Sequence, residues 1–260
     1  MLPETHKFII QHALDFKKRR FRKYRHLIEA GCANEDNLRF SLEDFQLFGF
    51  DHFYHPDLKS GYSRFAGNAK KKGLFLFNKS LKLYKEGKFE QAFLTLGRST
   101  HYLMDLASPA HTKLIFHLID DDFENYTDNH IHKFSFKIRS RLIRPFTPKS
   151  CFQGLARKSQ RTSYKKKNNM ISIFFRQKPD KNLDKMSREL VKLSIIYTIA
   201  LLNAFNRRII KYTLLQENKK IIAKIKSGKN QIITKIKSRK ARLVKKIKSE
   251  KRKIINKIVK

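Results

Sequence analysis

The stretch at residues 97–111, GRSTHYLMDLASPAH, decides how the rest of the chain is read. A four-residue step puts His101 and Asp105 on one face of a helix, where the pair can grip a single cation. Pro109 kinks or ends that helix, because proline lacks the backbone N–H and clashes with the preceding turn. Beyond the bend, His111 points away from the pair and suits a neighbouring ion. Two histidines and a carboxylate around a bend read as half of a multi-metal site.

Working outward, the 260 residues suffice for one well-buried domain of about 200 residues plus an appendage. A hydrophobic fraction of 40%, with 22 Phe and 9 Tyr, supplies a core. Only 9 Gly and 6 Pro interrupt it, and most apolar residues recur at helical spacing, which predicts an all-α fold. Charge is the extreme feature: 59 Lys and Arg against 22 Asp and Glu give +37. That imbalance calls for an anionic partner, whether nucleic acid, an acidic membrane or a phosphorylated substrate. Cys32 and Cys151, the 2 cysteines, are far apart and imply no disulfide framework, which is compatible with a reducing compartment.

The opening MLPETHKFIIQHALDF lacks a basic start followed by a long apolar run, so it carries no secretory-signal pattern. The expectation is a cytoplasmic or peripheral membrane protein, one secreted by a non-standard route, or one whose signal has been removed. Leu193–Phe205, about thirteen apolar residues, falls short of the roughly twenty that cross a bilayer and reads as a buried core helix.

In chain order, Thr5 caps a helix carrying His6, Ile9, Ile10, Ala13, Leu14 and Phe16 at three and four spacing. The basic run 17–25 reads as an exposed continuation or connection. GCANEDN at 31–37 presents Glu35 and Asp36, with Gly31 placed as the terminator of the preceding helix. FGFDHFYHPD at 48–57 is turn-rich and sets His52 and His55 among aromatics. Helices are predicted over 64–86 and 89–104, from Thr147–Pro148 onward, and over 186–215. His117, Asp120, Asp121, Asp122 and Glu124 crowd one short stretch. The division expected is a domain at 1–215, basic and loop-rich over 133–184, and a tail at 216–260.

That tail repeats every eleven residues. Its apolar positions are Ile221, Ile222, Ile225, then Ile232, Ile233, Ile236, then Leu243, Val244, Ile247, then Ile254, Ile255, Ile258. Eleven residues span almost three turns, so the stripe keeps to one face of a helix. Eighteen Lys and Arg from residue 219 onward, Lys224, Lys235 and Lys246 among them, oppose Glu250 alone. A basic amphipathic helix of this kind lies in an anionic membrane interface; nucleic acid is the second choice, since no aromatic residue follows Tyr212 to stack on bases. A helix packed on a partner or a solvated tail is the plainer reading.

His with Asp or Glu is a ligand set for zinc, and closely spaced ions can acidify a water and hold a leaving oxygen, which suits a phosphodiester. Singly, each of these residues reads more readily as a surface carboxylate or core histidine; the joint spacing HxxxDxxxPxH weakens that alternative. At this point the chain resembles the zinc-dependent phospholipases C, within a wider group that includes single-strand-specific zinc nucleases. LGRSTHYLMDLASPAH carries the family's LG, HY, D and PxH elements in register. THKFIIQHALDF, GCANEDN, DHFYHPD and FENY extend the likeness over about residues 5–128, and TPKSCFQGLARKSQ and 187–206 echo later helices.

The resemblance implies two or three zinc ions per chain. Asp36, His52, His101 and Asp105 would bind one; Asp105 would bridge to a second held by His6 and the N-terminal group; His111 and Glu124 would take a third. It also implies Asp36 as general base and cleavage of glycerophospholipid to diacylglycerol and a phosphorylated head group. A nuclease or nucleotidase on the same scaffold, or a non-catalytic basic membrane- or nucleic-acid-binding protein, are the alternatives. The chain departs from the pattern at the start, where the family has a Trp and this sequence has none, leaving the Met1 backbone to substitute. Asp120 stands where the family has a third histidine, with His117 one turn earlier as its competitor. Glu35 is an alternative to Asp36, and Asn37 replaces the aromatic residue of choline-preferring members. His55, His130 and His132 are left as surface or supporting residues, and Cys32 as packing.

Overall fold

The computed structural model describes residues 2–16, 19–37, 50–61, 67–115, 121–163 and 181–258; side chains are described for these except 19–20, 34–37, 50, 228–232, 247–248 and 250–258. Among the described residues the architecture is all-α. The helices are α1 (Pro3–Asp15), α2 (Arg19–Lys23), α3 (Arg25–Asn37), α4 (Ala69–Lys85), α5 (Phe89–Asp105), α6 (Pro109–Thr112), α7 (Asp122–His130), α8 (Pro148–Gln160) and α9 (Lys181–Ile258). The only extended pairing among them is an isolated bridge between His55 and Ser60.

Helix ends follow local chemistry. Asn68 caps α4 by accepting from the Lys71 N–H, so α4 begins there; Arg64, where spacing alone starts a helix, lies outside the described residues. Thr147 caps α8 through the Ser150 N–H at 3.1 Å, with Pro148 in the first turn. Asp121 caps α7 through the Glu124 N–H at 2.8 Å. Gly87, at φ +80°, makes the reversal between α4 and α5 in a conformation L side chains rarely adopt.

α5 is the central helix. Small and apolar residues surround it, and Ala92, Phe93, Leu96, Gly97, Ser99 and Thr100 are all buried, as expected of a helix with neighbours on every side. α4 packs on it through Gly73, Leu76, Phe77, Ser80 and Leu81, the i, i+3, i+4, i+7, i+8 face of an amphipathic helix. Phe93, fully buried, gathers Tyr24 stacked at 4.3 Å and the edges of Phe21 at 6.0 Å and Phe205 at 5.8 Å. Each such aromatic pair adds about 0.5–1.5 kcal/mol beyond area burial. The basic run at 17–25 is therefore not simply exposed: Phe21 turns inward as a core residue.

Gly31 is also different from its sequence reading. It lies inside α3, not after it. A Cβ there would sit 2.0 Å from the Leu94 carbonyl oxygen, and one at Gly97 would sit 2.2 Å from that of Ile28. The two glycines let α3 and α5 cross with backbones almost touching. This requirement comes from packing and outweighs the roughly 1 kcal/mol cost of glycine within a helix.

Contacts divide the chain into two units, Met1–Ile209 and Ile210–Lys260. In the first, α9 buries Leu190, Val191, Ile195, Ile199, Leu202 and Phe205. The apolar core segment recognised at 193–205 thus belongs to a helix long enough to cross a membrane by length and composition, of whose most apolar window 72% is buried inside the protein. The second unit is helical to Ile258, and among its described side chains several apolar ones are exposed: Ile225 by 66%, Ile236 by 60% and Leu243 by 60%.

Candidate metal centre

Five elements deliver the buried polar groups. α1 brings His6 from its first turns and is tied to α7 where the Thr5 N–H and hydroxyl donate to Asp128 at 2.7 and 2.9 Å. A 3-10 turn at Phe50–His52 brings Asp51 and His52. The last turn of α5 brings His101 and Asp105, and α5 stops at Asp105 because Pro109 occupies the first turn of the next helix. α6 then carries His111 and α7 carries Glu124.

Asp105, only 1% exposed, is the hub. Its Oδ1 lies 3.0 Å from His6 Nε2; its Oδ2 lies 2.5 Å from His52 Nδ1 and 3.2 Å from His101 Nε2. Donor atoms of His6, His101 and Asp105 all fall within 4.8 Å of one another. Beside this cluster, His111 Nε2 faces Glu124 Oε1 at 3.4 Å, and the His52 and His111 rings are 6.4 Å apart. Tyr54 N–H donates to the His111 carbonyl at 3.1 Å, fixing α6 to the segment that carries His52.

The tautomer of His101 follows from its second nitrogen. Nδ1 lies 3.0 Å from the Cys32 carbonyl oxygen, which can only accept, so Nδ1 carries a proton. A neutral His101 then turns the lone pair of Nε2 toward the Asp105 carboxylate at 3.2 Å. Two acceptors held that close call for a positive charge between them, supplied by a second ring proton or by a cation. Burial opposes the imidazolium. Histidines that ligate metals typically donate their other ring N–H to a carbonyl or carboxylate in this way.

Electrostatics agree with that donor set. Burial, and then the neighbouring His101, pull the His6 pKa down to about 4, so its imidazole is neutral near pH 7. Burial alone raises the Asp105 pKa, but the surrounding positive charge, including His101 and His52, holds it well below the usual carboxylate range. A neutral His6 beside an ionised Asp105 matches what binding of a divalent cation requires of those two ligands. The residues present therefore fit a metal.

The remaining sequence candidates divide. The side chains of Glu35 and Asp36, and all of Met1, His117 and Asp120, lie outside the described residues. His55 bonds to the Leu58 N–H and the Gln160 amide, while His130 bonds to the Tyr126 carbonyl and stacks on its ring, so neither joins the cluster. Burial raises the Cys32 thiol pKa, and it is the residue's carbonyl that serves the site. Sequence reading missed Asp51, buried beside His52 and bonded to the Tyr102 hydroxyl at 2.9 Å, and Asp128, the anchor of α1. Adjacency to His52 was the available signal for Asp51; Asp128 offers none.

No family model matches the chain. A phospholipase C of Listeria monocytogenes serovar 1/2a is 36% identical over 91 residues, which are 32% of this chain and 30% of the relative. A phospholipase C of Bacillus cereus is 37% identical over 82 residues, 30% of this chain and 29% of the relative. The matched segments thus span under a third of those relatives. In structure, the alpha toxin of Clostridium absonum aligns with TM-score 0.60 at 16% identity, over 78% of this chain and 62% of the toxin. The Clostridium perfringens alpha-toxin from an avian strain aligns with TM-score 0.57 at 15% identity, with the same coverage of each chain. The chain is phospholipase C-like in part of its sequence, and its all-helical fold is that of these toxins over the aligned region.

Proposed function

We propose that this protein is a zinc-dependent phosphodiester hydrolase, a phospholipase C that cleaves glycerophospholipids to diacylglycerol and a phosphorylated head group. The observation that carries the reading is Asp105 ringed by three buried imidazoles, with the His111–Glu124 pair alongside. The partial relatives called phospholipase C support the choice of reaction. Mixed imidazole and carboxylate donors suit zinc. His6, His101 and Asp105 would hold one ion, with His52 against Asp105 Oδ2, the oxygen His101 also faces, and His111 and Glu124 would hold another. When bound, zinc acidifies water and neutralises charge on a phosphate ester. The Cys32 carbonyl fixes the His101 ring, and the α5–α6 bend separates the two donor groups. Asp36 stays the expected general base from the family resemblance.

The second unit supplies the proposed partner. Its helix exposes Ile221, Ile222, Ile225, Ile233, Ile236, Leu243 and Val244, and Lys224, Lys235 and Lys246 are exposed with them; the side chains of Ile232 and Ile247 lie outside the described residues. We place it in an anionic membrane interface, each Lys near the surface contributing up to about 1 kcal/mol. The net charge of +37 also favours the second reading, a nuclease on the same scaffold.

One side-by-side assay separates these. Wild-type protein with zinc should release head groups from vesicles of mixed neutral and acidic phospholipid and leave single-stranded DNA intact, and His101→Ala should abolish the release. DNA cleavage with no lipid turnover would replace the phospholipase with the nuclease. Deleting 219–260 should weaken sedimentation with acidic vesicles yet spare hydrolysis of a soluble short-chain phospholipid; unchanged sedimentation would remove the membrane role.

A further inference from the structure

Both ring nitrogens of His52 face carboxylates. Nδ1 is 2.5 Å from Asp105 Oδ2, and Nε2 is 3.6 Å from Asp51 Oδ1, an ion-pair distance a few tenths beyond a hydrogen bond. Asp51 is 7% exposed. The Tyr102 hydroxyl donates to its Oδ2 at 2.9 Å, while Oδ1 has no hydrogen-bond partner among the described residues. A carboxylate oxygen buried in that state costs free energy unless a donor reaches it. The group facing Oδ1 is the His52 ring, whose centroid lies 4.9 Å from that of Tyr102.

We propose that Asp51 is a positioning residue for the metal centre, held by Tyr102 and selecting the His52 tautomer that presents the Nδ1 lone pair toward Asp105. The inference rests on the metal reading above. A neutral imidazole carries one N–H. Without a cation, that hydrogen belongs on Nδ1, donated to the much nearer Asp105. A cation held by Nδ1 requires the lone pair there, so the hydrogen moves to Nε2, where Asp51 Oδ1 stands to accept it. One proton leaves Nδ1 and one is gained at Nε2, so net charge is unchanged. The oxygen poorly satisfied in the metal-free arrangement becomes satisfied in the loaded one, and Asp51 thereby favours loading.

Zinc affinity, measured by competition against a chromophoric chelator, tests this without turnover. Asp51→Ala should weaken zinc binding about 10- to 100-fold, the usual range for partners of metal-bound histidines. Asp51→Asn, whose amide oxygen can still accept from Nε2–H, should recover most of that loss. In a His52→Gln background, Asp51→Ala should have little further effect, since its action runs through the ring. Nitrogen NMR of the zinc-loaded wild type should show His52 protonated at Nε2. Wild-type affinity in Asp51→Ala, failure of Asn to rescue a folded protein, a full further loss in the His52→Gln background, or His52 protonated at Nδ1 when loaded would each overturn the proposal. Absence of zinc binding by the wild type would instead overturn the metal reading itself.

Discussion

On the proposed phospholipase reading, Asp105→Asn should lower phospholipid hydrolysis by about three orders of magnitude or more, equivalent to roughly 4 kcal/mol at 1.4 kcal/mol per tenfold. The substitution keeps the shape of the side chain and removes its charge. What it destroys is the anion that His6, His52 and His101 share at 3.0, 2.5 and 3.2 Å. The fold should survive, because the amide has the size and shape of the carboxylate, and His6 is already neutral at pH 7, with a pKa of about 4, and needs no counter-charge. Initial rates on mixed phospholipid vesicles, with circular dichroism melts as the control for folding, check this. Turnover within tenfold of wild type would remove Asp105 from the centre of the site.

The second large effect is structural and lies outside the cluster. Gly97→Ala should destabilise the protein by about 2 kcal/mol or more, and weaken zinc binding as well. Alanine gains at most ~1 kcal/mol over glycine in helix propensity. Against that, the added Cβ would meet the Ile28 carbonyl oxygen at 2.2 Å and the Cys32 N at 3.0 Å, both backbone atoms that no rotamer change can move. Overpacking costs typically about 1–3 kcal/mol, and a backbone clash belongs at the upper end. Relief requires α3 to shift from α5, which draws the Cys32 carbonyl away from His101 Nδ1, now 3.0 Å apart. With roughly 2–4 °C per kcal/mol for a domain of this size, the melting temperature should fall by about 4–8 °C or more. Gly87→Ala is the internal comparison: a Cβ there meets nothing within 4 Å and only the φ of +80° is strained. It should leave zinc affinity unchanged, whereas unchanged affinity in Gly97→Ala would break the proposed link between helix crossing and site.

Those two predictions mark what the sequence makes legible. The His101–Asp105 step is local, set by 3.6 residues per turn, so spacing alone brings the pair together. Pro109 likewise announces the bend that sends His111 toward Glu124. Gly31 reads differently because two meanings of glycine share one letter: a helix terminator is a local feature, while permission for a close helix crossing depends on Leu94, over sixty residues away. The start of α4 is set at Asn68 since a cap is decided by one side-chain hydrogen bond that periodicity does not encode. Asp51 escapes notice because acidic residues in a turn are usually solvated; its burial is created by Tyr102 on another element. The helical pattern of α1, α4, α5, α8 and α9 is legible in the spacing, whereas α7, the full length of α3 and the tertiary partners that orient the histidines are not.

Metal bound by the buried imidazoles and carboxylates of the first unit would underlie both the proposed hydrolysis and the role of Asp51. Elemental analysis of protein purified under zinc-replete conditions measures it directly. The account predicts two or three zinc ions per chain, with at least one lost in Asp105→Asn. A wild-type protein that carries no bound metal under those conditions would contradict it.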